Sequence, residues 1–225
     1  MTTSPLKLNF KLKSDATFGR GDGVPGEVDA EVQYDTLGLP YYGGRALKGV
    51  LVMECADLLF ALKQKEGDRW WNAAARLFGT PGSTAETTGA LIVGDAGLSQ
   101  ALRDAVRYAI LPDRESSLSA RQILASLTTI RKQTASDVET GAPQDQTLRA
   151  MRVVLRETTF VAPLRFQFDV GQDELALVAA CVAAVRRLGT GRNRGRGEVE
   201  AWLTDEQGLS VSAHFDRFAS EVART

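Results

Sequence analysis

Three features of the sequence predict a mixed α+β fold, an antiparallel sheet with helices on one face. Short segments near both ends alternate between apolar and polar residues, as half-buried strands do. Two segments, about 45–65 and Asp173 to Leu188, repeat apolar residues at helical spacing. Without the intervening loops, the order reads strand, helix, strand, strand, helix, strand, the βαββαβ arrangement called ferredoxin-like or RRM-like. That fold hosts many activities, so the site must decide the function.

Leu6, Leu8, Phe10 and Leu12 alternate with Lys7, Asn9, Lys11 and Lys13 and predict the first strand. Ser14 to Gly26 carries four glycines and reads as a loop. In the next segment Val28, Ala30, Val32 and Tyr34 would share one strand face, with Asp29, Glu31 and Gln33 on the other. Asp35-Thr36-Leu37-Gly38 is a turn, and Pro40 keeps Leu39 extended. Gly43-Gly44 opens the first helix, with Leu47, Val50, Leu51, Leu58, Leu59 and Leu62 at helical spacing. A second helix, about Asp68 to Leu77, brings Trp70 and Trp71 as packing residues and stops at the Phe78-Gly79-Thr80-Pro81-Gly82 turn.

Ala90 to Val93 is a short strand, and residues 97 to 130 are mostly helical. Residues 130–161 have charged, β-branched arms around a polar centre with Gly141 and Pro143, the pattern of a long projecting hairpin. Leu164, Phe166 and Phe168 predict the next strand. In the Asp173–Leu188 helix, Leu175, Val178, Val182 and Val185 point inward, with Arg186-Arg187 near its C-terminal end. Val199, Ala201 and Leu203 predict the last core strand, and the tail after Gly208 one more strand and a short amphipathic helix.

Composition narrows the function classes. The chain has 225 residues and a net charge of −1, so any polyanion binding must rest on local patches rather than a global basic field. The longest apolar run, Leu175 to Val185, is far short of a membrane span, and the N-terminus lacks the apolar core of a signal peptide. A cytosolic protein with no membrane partner is the expectation. Cys55 and Cys181 read as buried thiols rather than a metal site.

Three places could carry chemistry. Gly189 to Gly197, GTGRNRGRG, packs four glycines and three arginines into nine residues. Glycines expose backbone N–H groups, and Arg192, Arg194 and Arg196 supply forked donors suited to phosphates, so the loop points to a polyanion. It lacks the Gly-Lys-Ser/Thr ending of a Walker loop. The second place is the Gly43-Gly44 helix start with Arg45 and Lys48. It suits an anion, and equally suits a glycine-rich turn with solvated charges. Asp29, the third, follows a glycine-rich loop and could orient a ribose 2′-hydroxyl or hold Mg²⁺. On residue chemistry alone a solvated strand Asp is the simpler reading. His214, the single histidine, lies in the tail away from these segments and reads as surface or packing.

Four segments in order carry a family resemblance. They are the glycine-rich loop with EVDAEVQYDTLGLPYYGGRALKG, then RLFGTPGS with GALIVGDA, the 130–161 region with its Asp137–Gly141 element, and GTGRNRGRGEVE. Together they resemble the RAMP superfamily of CRISPR RNA-guided effector proteins, and within it the repeated backbone subunit of type III effectors.

The resemblance implies a single RAMP-type domain with a core at about 6–12, 45–95 and 160–203. It implies a catalytic-loop insertion at about 14–44, a thumb hairpin at about 130–161 and a tail at 204–225. It implies binding to a CRISPR guide RNA and a complementary target RNA, beside copies of itself and other effector subunits. The catalytic Asp falls on Asp29, with Mg²⁺ or another divalent cation, while Asp35 matches a second acidic position without a catalytic role. Guide contacts are implied for Gly43, Gly44, Arg45 and Lys48 and for Gly189, Gly191, Arg192, Asn193, Arg194 and Arg196. Two departures stand out: Gly43-Gly44-Arg45-Ala46 replaces a hydroxyl-bearing Pro-Gly-Ser-Ser, and a His common near Thr17-Phe18 is missing. The expectation is an endoribonuclease of target RNA; the alternative is a non-catalytic RNA-binding scaffold. Guide processing through His214 and small-molecule regulation are the more distant classes.

Overall fold

The computed structural model describes residues 3–80, 82, 88–111, 117–134 and 147–224. Its central strand is β1 (Leu6–Leu12), whose Leu6, Leu8, Phe10 and Leu12 are all buried, as the alternation requires. β1 pairs antiparallel with β5 (Thr159–Phe166) on one side and β6 (Val199–Thr204) on the other. β2 (Leu91–Val93) pairs antiparallel with β5, so the sheet order is β2-β5-β1-β6. The first and third core strands are central, the order of a ferredoxin-like sheet. Asn9, on the polar face of β1, is also buried and donates to the Thr204 hydroxyl at 3.0 Å.

Helices α1 (Gly44–Ala61) and α5 (Gln172–Ala184) cover one face of the sheet, and α2 (Arg69–Phe78) and α6 (Ala213–Val222) pack against α5. The predicted inward stripe of α5 is buried, but every residue from Glu174 to Val182 is buried as well, because neighbouring helices surround it. Each fully buried Leu or Val contributes roughly 1.5–3 kcal/mol, so α5 is a principal anchor of the fold. Cys55 and Cys181 are buried free thiols on α1 and α5. Trp70 packs as expected, its ring 4.8 Å from that of Phe218.

α5 ends earlier than predicted. Val185 is extended, and Arg187 pairs with Glu198, so Arg186 and Arg187 leave the helix instead of capping it. Among the described residues no further strand follows β6: Thr204 makes an isolated bridge to Ser210 before α6. Phe168 likewise lies beyond β5 and is exposed.

α3 (Gln100–Ile110) and α4 (Ala120–Leu127) lead into a separate two-stranded sheet, β3 (Thr128–Gln133) with β4 (Arg149–Val154). This hairpin is shorter at its root than the predicted 130–161, because 159–166 joins the core sheet. Its intended centre, including Asp137–Gly141, lies outside the described residues. Val153 and Val154 are fully buried, and Ala16 bridges to Val154, which ties the root to the loop after β1. That loop is tied to the core in turn by Phe18, whose ring lies edge-on to Phe160 at 5.3 Å and 4.7 Å from Tyr42.

Candidate nucleic-acid interface

The glycine-arginine loop is closed at its base by two backbone contacts: Leu188 N–H donates to Gly197 O at 2.8 Å and Gly197 N–H to Asp15 O at 3.0 Å. Gly197 has φ +68°, and a Cβ there would stand 1.9 Å from Leu188 O, so only glycine closes the loop. Thr190 N–H donates to Thr17 O at 2.9 Å, which sets the first arm beside the Phe18 anchor. Between Gly191 and Gly195, Arg192–Arg194 form one 3-10 turn.

The arginines then diverge. Arg194 is exposed and Arg192 half-buried, while Arg187 donates to the Arg192 carbonyl at 2.7 Å. Arg196 turns inward and contacts the Met151 sulfur on β4; burial pulls its pKa down.

Two grooves flank the turn. One, of about 920 Å³, is lined by Arg186, Arg187, Arg192 and Arg194 with Thr190, Met53 and Glu54. Burial and neighbouring Asp57 push the Glu54 carboxyl up, against the pull of Arg192 and Arg186. The other, of about 770 Å³, runs along the hairpin root and is lined by Lys132, Arg149, Met151 and Arg194. Arg194 belongs to both, so the basic surface is continuous from the core to the hairpin. Sequence reasoning missed Arg186 and Arg187 as lining residues, because no breaker marks the end of α5. Arg149 and Lys132 were visible only as charged arms of the hairpin.

Asp29 sits at this hairpin root. Its N–H donates to Ala150 O at 2.7 Å, and its exposed carboxylate accepts the Ala150 N–H on Oδ2 at 2.6 Å. Ala150, which Asp29 contacts, lies between Arg149 and Met151, two of the residues that line the second groove. The predicted strand around it does not form: residues 28–34 make isolated bridges only, Ala30 to Met151 and Val32 to Gly19 among them. Nor do its faces alternate, since Glu31 is buried and Tyr34 exposed. The physical reason is Arg152, whose Nε lies 2.9 and 3.1 Å from the two Glu31 carboxylate oxygens and compensates the buried charge.

At the helix start Gly44 N–H donates to Asp95 Oδ1 at 2.7 Å, so the protein's own carboxylate engages one of the N–H groups of the first turn. A Cβ on Gly44 would stand 2.3 Å from Val93 O; this glycine permits backbone-to-backbone approach. Lys48 turns to the Leu91 carbonyl at 2.8 Å, and burial lowers its pKa. Arg45 alone of the two cations is exposed.

Neither Asp35 nor His214 lines either groove. Asp35 Oδ1 accepts Leu37 and Leu39 N–H at 2.9 and 3.1 Å, and Arg103 pairs with Oδ2 at 2.8 Å, so it builds the expected turn. His214 lies in the first turn of α6, which packs on α5, and burial lowers its pKa.

Among the described residues no group of three His, Cys, Asp or Glu side chains could hold a metal ion. Asp29 offers a single exposed carboxylate, one oxygen of which is engaged with Ala150. That donor set does not fit a protein-built cage; it would fit a divalent cation whose other ligands come from outside the chain.

The described residues form a ferredoxin-like sheet with a basic loop and a hairpin root beside it. The chain belongs to the RAMP superfamily, whose model matches residues 9–200. Its fold is similar to that of a chain in the cryo-EM structure of the type III-B Cmr-beta bound to cognate target RNA, with a TM-score of 0.62 and 13% identity over 90% of this chain and 98% of that one. A chain of Cmr-beta in the apo state is similar at a TM-score of 0.61, with 13% identity and the same shares covered. No curated protein matches the chain. No helix among the described residues is long and apolar enough to cross a membrane.

Proposed function

We propose that this chain is a guide-RNA-binding subunit of a type III CRISPR effector, an endoribonuclease that cuts the complementary target RNA at Asp29. The observation that carries the reading is the seating of Asp29 on Ala150, between two residues that line the basic groove along the hairpin root. Similarity of fold to Cmr-beta chains supports the effector context.

In this reading Arg186, Arg187, Arg192 and Arg194 hold the phosphate backbone by charge-assisted hydrogen bonds. Arg149 and Lys132 continue that track onto the hairpin, which interrupts the guide–target duplex and displaces a target nucleotide. Asp29 orients the 2′-hydroxyl of that nucleotide and takes its proton as the 2′-oxygen attacks the adjacent phosphorus. The bond to the 5′-oxygen breaks, leaving a 2′,3′-cyclic phosphate and a 5′-hydroxyl protonated by water. A divalent ion held by Asp29 and the RNA would stabilise the charge that develops on the phosphate. The Ala150 N–H holds the carboxylate in one orientation throughout.

The same hydrogen bond favours the second reading, a scaffold in which Asp29 only ties its loop to β4. Asp29→Asn separates the two, because an amide oxygen still accepts the Ala150 N–H but cannot serve as the base. Cleavage lost in Asp29→Asn with guide RNA retained supports the nuclease; cleavage retained supports the scaffold.

A further inference from the structure

Glu31 breaks the alternation of its segment for a reason that bears on Asp29. Its side chain is 2% exposed and that of Arg152 13%, so a buried carboxylate meets a largely covered guanidinium. A carboxylate removed from water at such cost needs a compensating cation. Arg152 supplies more than compensation. Its guanidinium also stands 3.6 Å from Glu27, on the other side of Asp29, and Glu27 pairs with Arg121 at 2.7 Å. Its N–H donates to Ala30 O at 2.9 Å, and its carbonyl accepts the Thr17 hydroxyl at 3.2 Å. One residue of β4 therefore grips the chain two positions before and two positions after Asp29, and also the loop that sets the glycine-arginine turn.

We propose that Arg152 and Glu31 are positioning residues for RNA cleavage: the ion pair keeps the Asp29 loop in register on β4, so that the carboxylate stays on the Ala150 N–H. The inference rests on the reading of Asp29 as the cleaving group. Apolar residues of similar volume would join the two segments without the desolvation cost. The planar guanidinium meets the two carboxylates through different nitrogens, Nε on both Glu31 oxygens and Nη2 towards Glu27, a spacing that a single ammonium point charge does not reproduce.

The test uses the assembled, guide-loaded complex with Mg²⁺ and carries Arg152→Lys and Glu31→Gln. Arg152→Lys keeps the charge and loses the fork; Glu31→Gln keeps the size and loses the charge. Single-turnover cleavage at saturating target RNA falls about 10- to 100-fold in both, the scale of a displacement near 1 Å at a reacting group. Guide content and target KM stay within about twofold, as for a group acting in the reacting complex rather than in binding. Amide hydrogen exchange quickens in peptides that carry Asp29 and Ala150 and stays unchanged in α1 and α5. Wild-type cleavage rates in both variants would overturn the proposal. A loss explained by lost RNA binding would also overturn it, as would slower cleavage without faster exchange at Asp29 and Ala150. Asp29→Asn runs alongside. If it cleaves normally, the parent reading fails and the proposal falls with it; if it is silent while the other two cleave normally, the positioning claim alone falls.

Discussion

Gly43–Lys48 and Gly189–Gly197 contain the same ingredients, glycines beside cations, and the fold uses them in opposite ways. At the helix start the glycine lets two backbones approach, Asp95 takes the Gly44 N–H and Lys48 turns to a carbonyl. In the loop the glycines shape a tight turn whose Arg192 and Arg194 line open grooves. A glycine-and-cation motif is thus ambiguous between packing and ligand binding. The deciding partner, here Asp95, lies 51 residues away from Gly44 in the chain.

The sharpest way to break the comparison is to remove the cations on each side and measure RNA binding. Arg192→Ala with Arg194→Ala lowers RNA affinity at 0.15 M salt on the order of tenfold or more, and flattens the log–log salt slope by about one per arginine. Lys48→Met leaves that slope unchanged, and Arg45→Ala lowers it by at most about one. Filter binding across a salt series measures all three.

Gly44→Ala comes next. The added methyl meets fixed backbone, so stability falls by about 1–3 kcal/mol, the usual cost of overpacking, read from urea unfolding. RNA affinity per folded molecule stays at the wild-type value. Asp95→Ala is milder. It removes the acceptor at the helix start and costs about 1 kcal/mol, as lost caps do. It also exposes the Gly44 N–H, so a rise in RNA affinity would show that the helix start can bind phosphate after all.

The smallest effect comes from the helix layer and serves as a control. Arg69 bonds Asp173 and Glu221 and holds both carboxyls below their usual range. A depressed carboxyl contributes stability that is present above its unfolded pKa and lost as pH falls through the folded value. Wild-type Tm therefore gains part of its acid sensitivity below about pH 4 from this cluster, and Arg69→Met reduces that part, leaving Arg217 on Asp173. Because the cluster is exposed, the difference is a degree or two at most, on the order expected for surface pairs. RNA binding does not change.

What was legible in the sequence follows from the range of the forces involved. β1 and α5 were readable because strand and helix periodicities are local and their apolar residues have no other use. The Asp35 turn was readable for the same reason. Glu31 was not, because its burial depends on Arg152, 121 residues away, and alternation alone assigns an acid to solvent. The end of α5 was obscured since Val185 and Arg186 are compatible with helix; the pairing of Arg187 with Glu198 is what draws them out. For the site, the loop arginines and Asp29 could be named from residue type and resemblance. That β4 brings them together, through Ala150 under Asp29 and Met151 under Arg196, is a property of the fold alone.

The most direct test of the account is cleavage of a guide-complementary RNA by the assembled complex with Mg²⁺, wild type against Asp29→Asn. Regularly spaced products are expected from the wild type, and none from a mutant complex that still carries its guide RNA. The same products from both would contradict it and leave the chain a guide-binding scaffold.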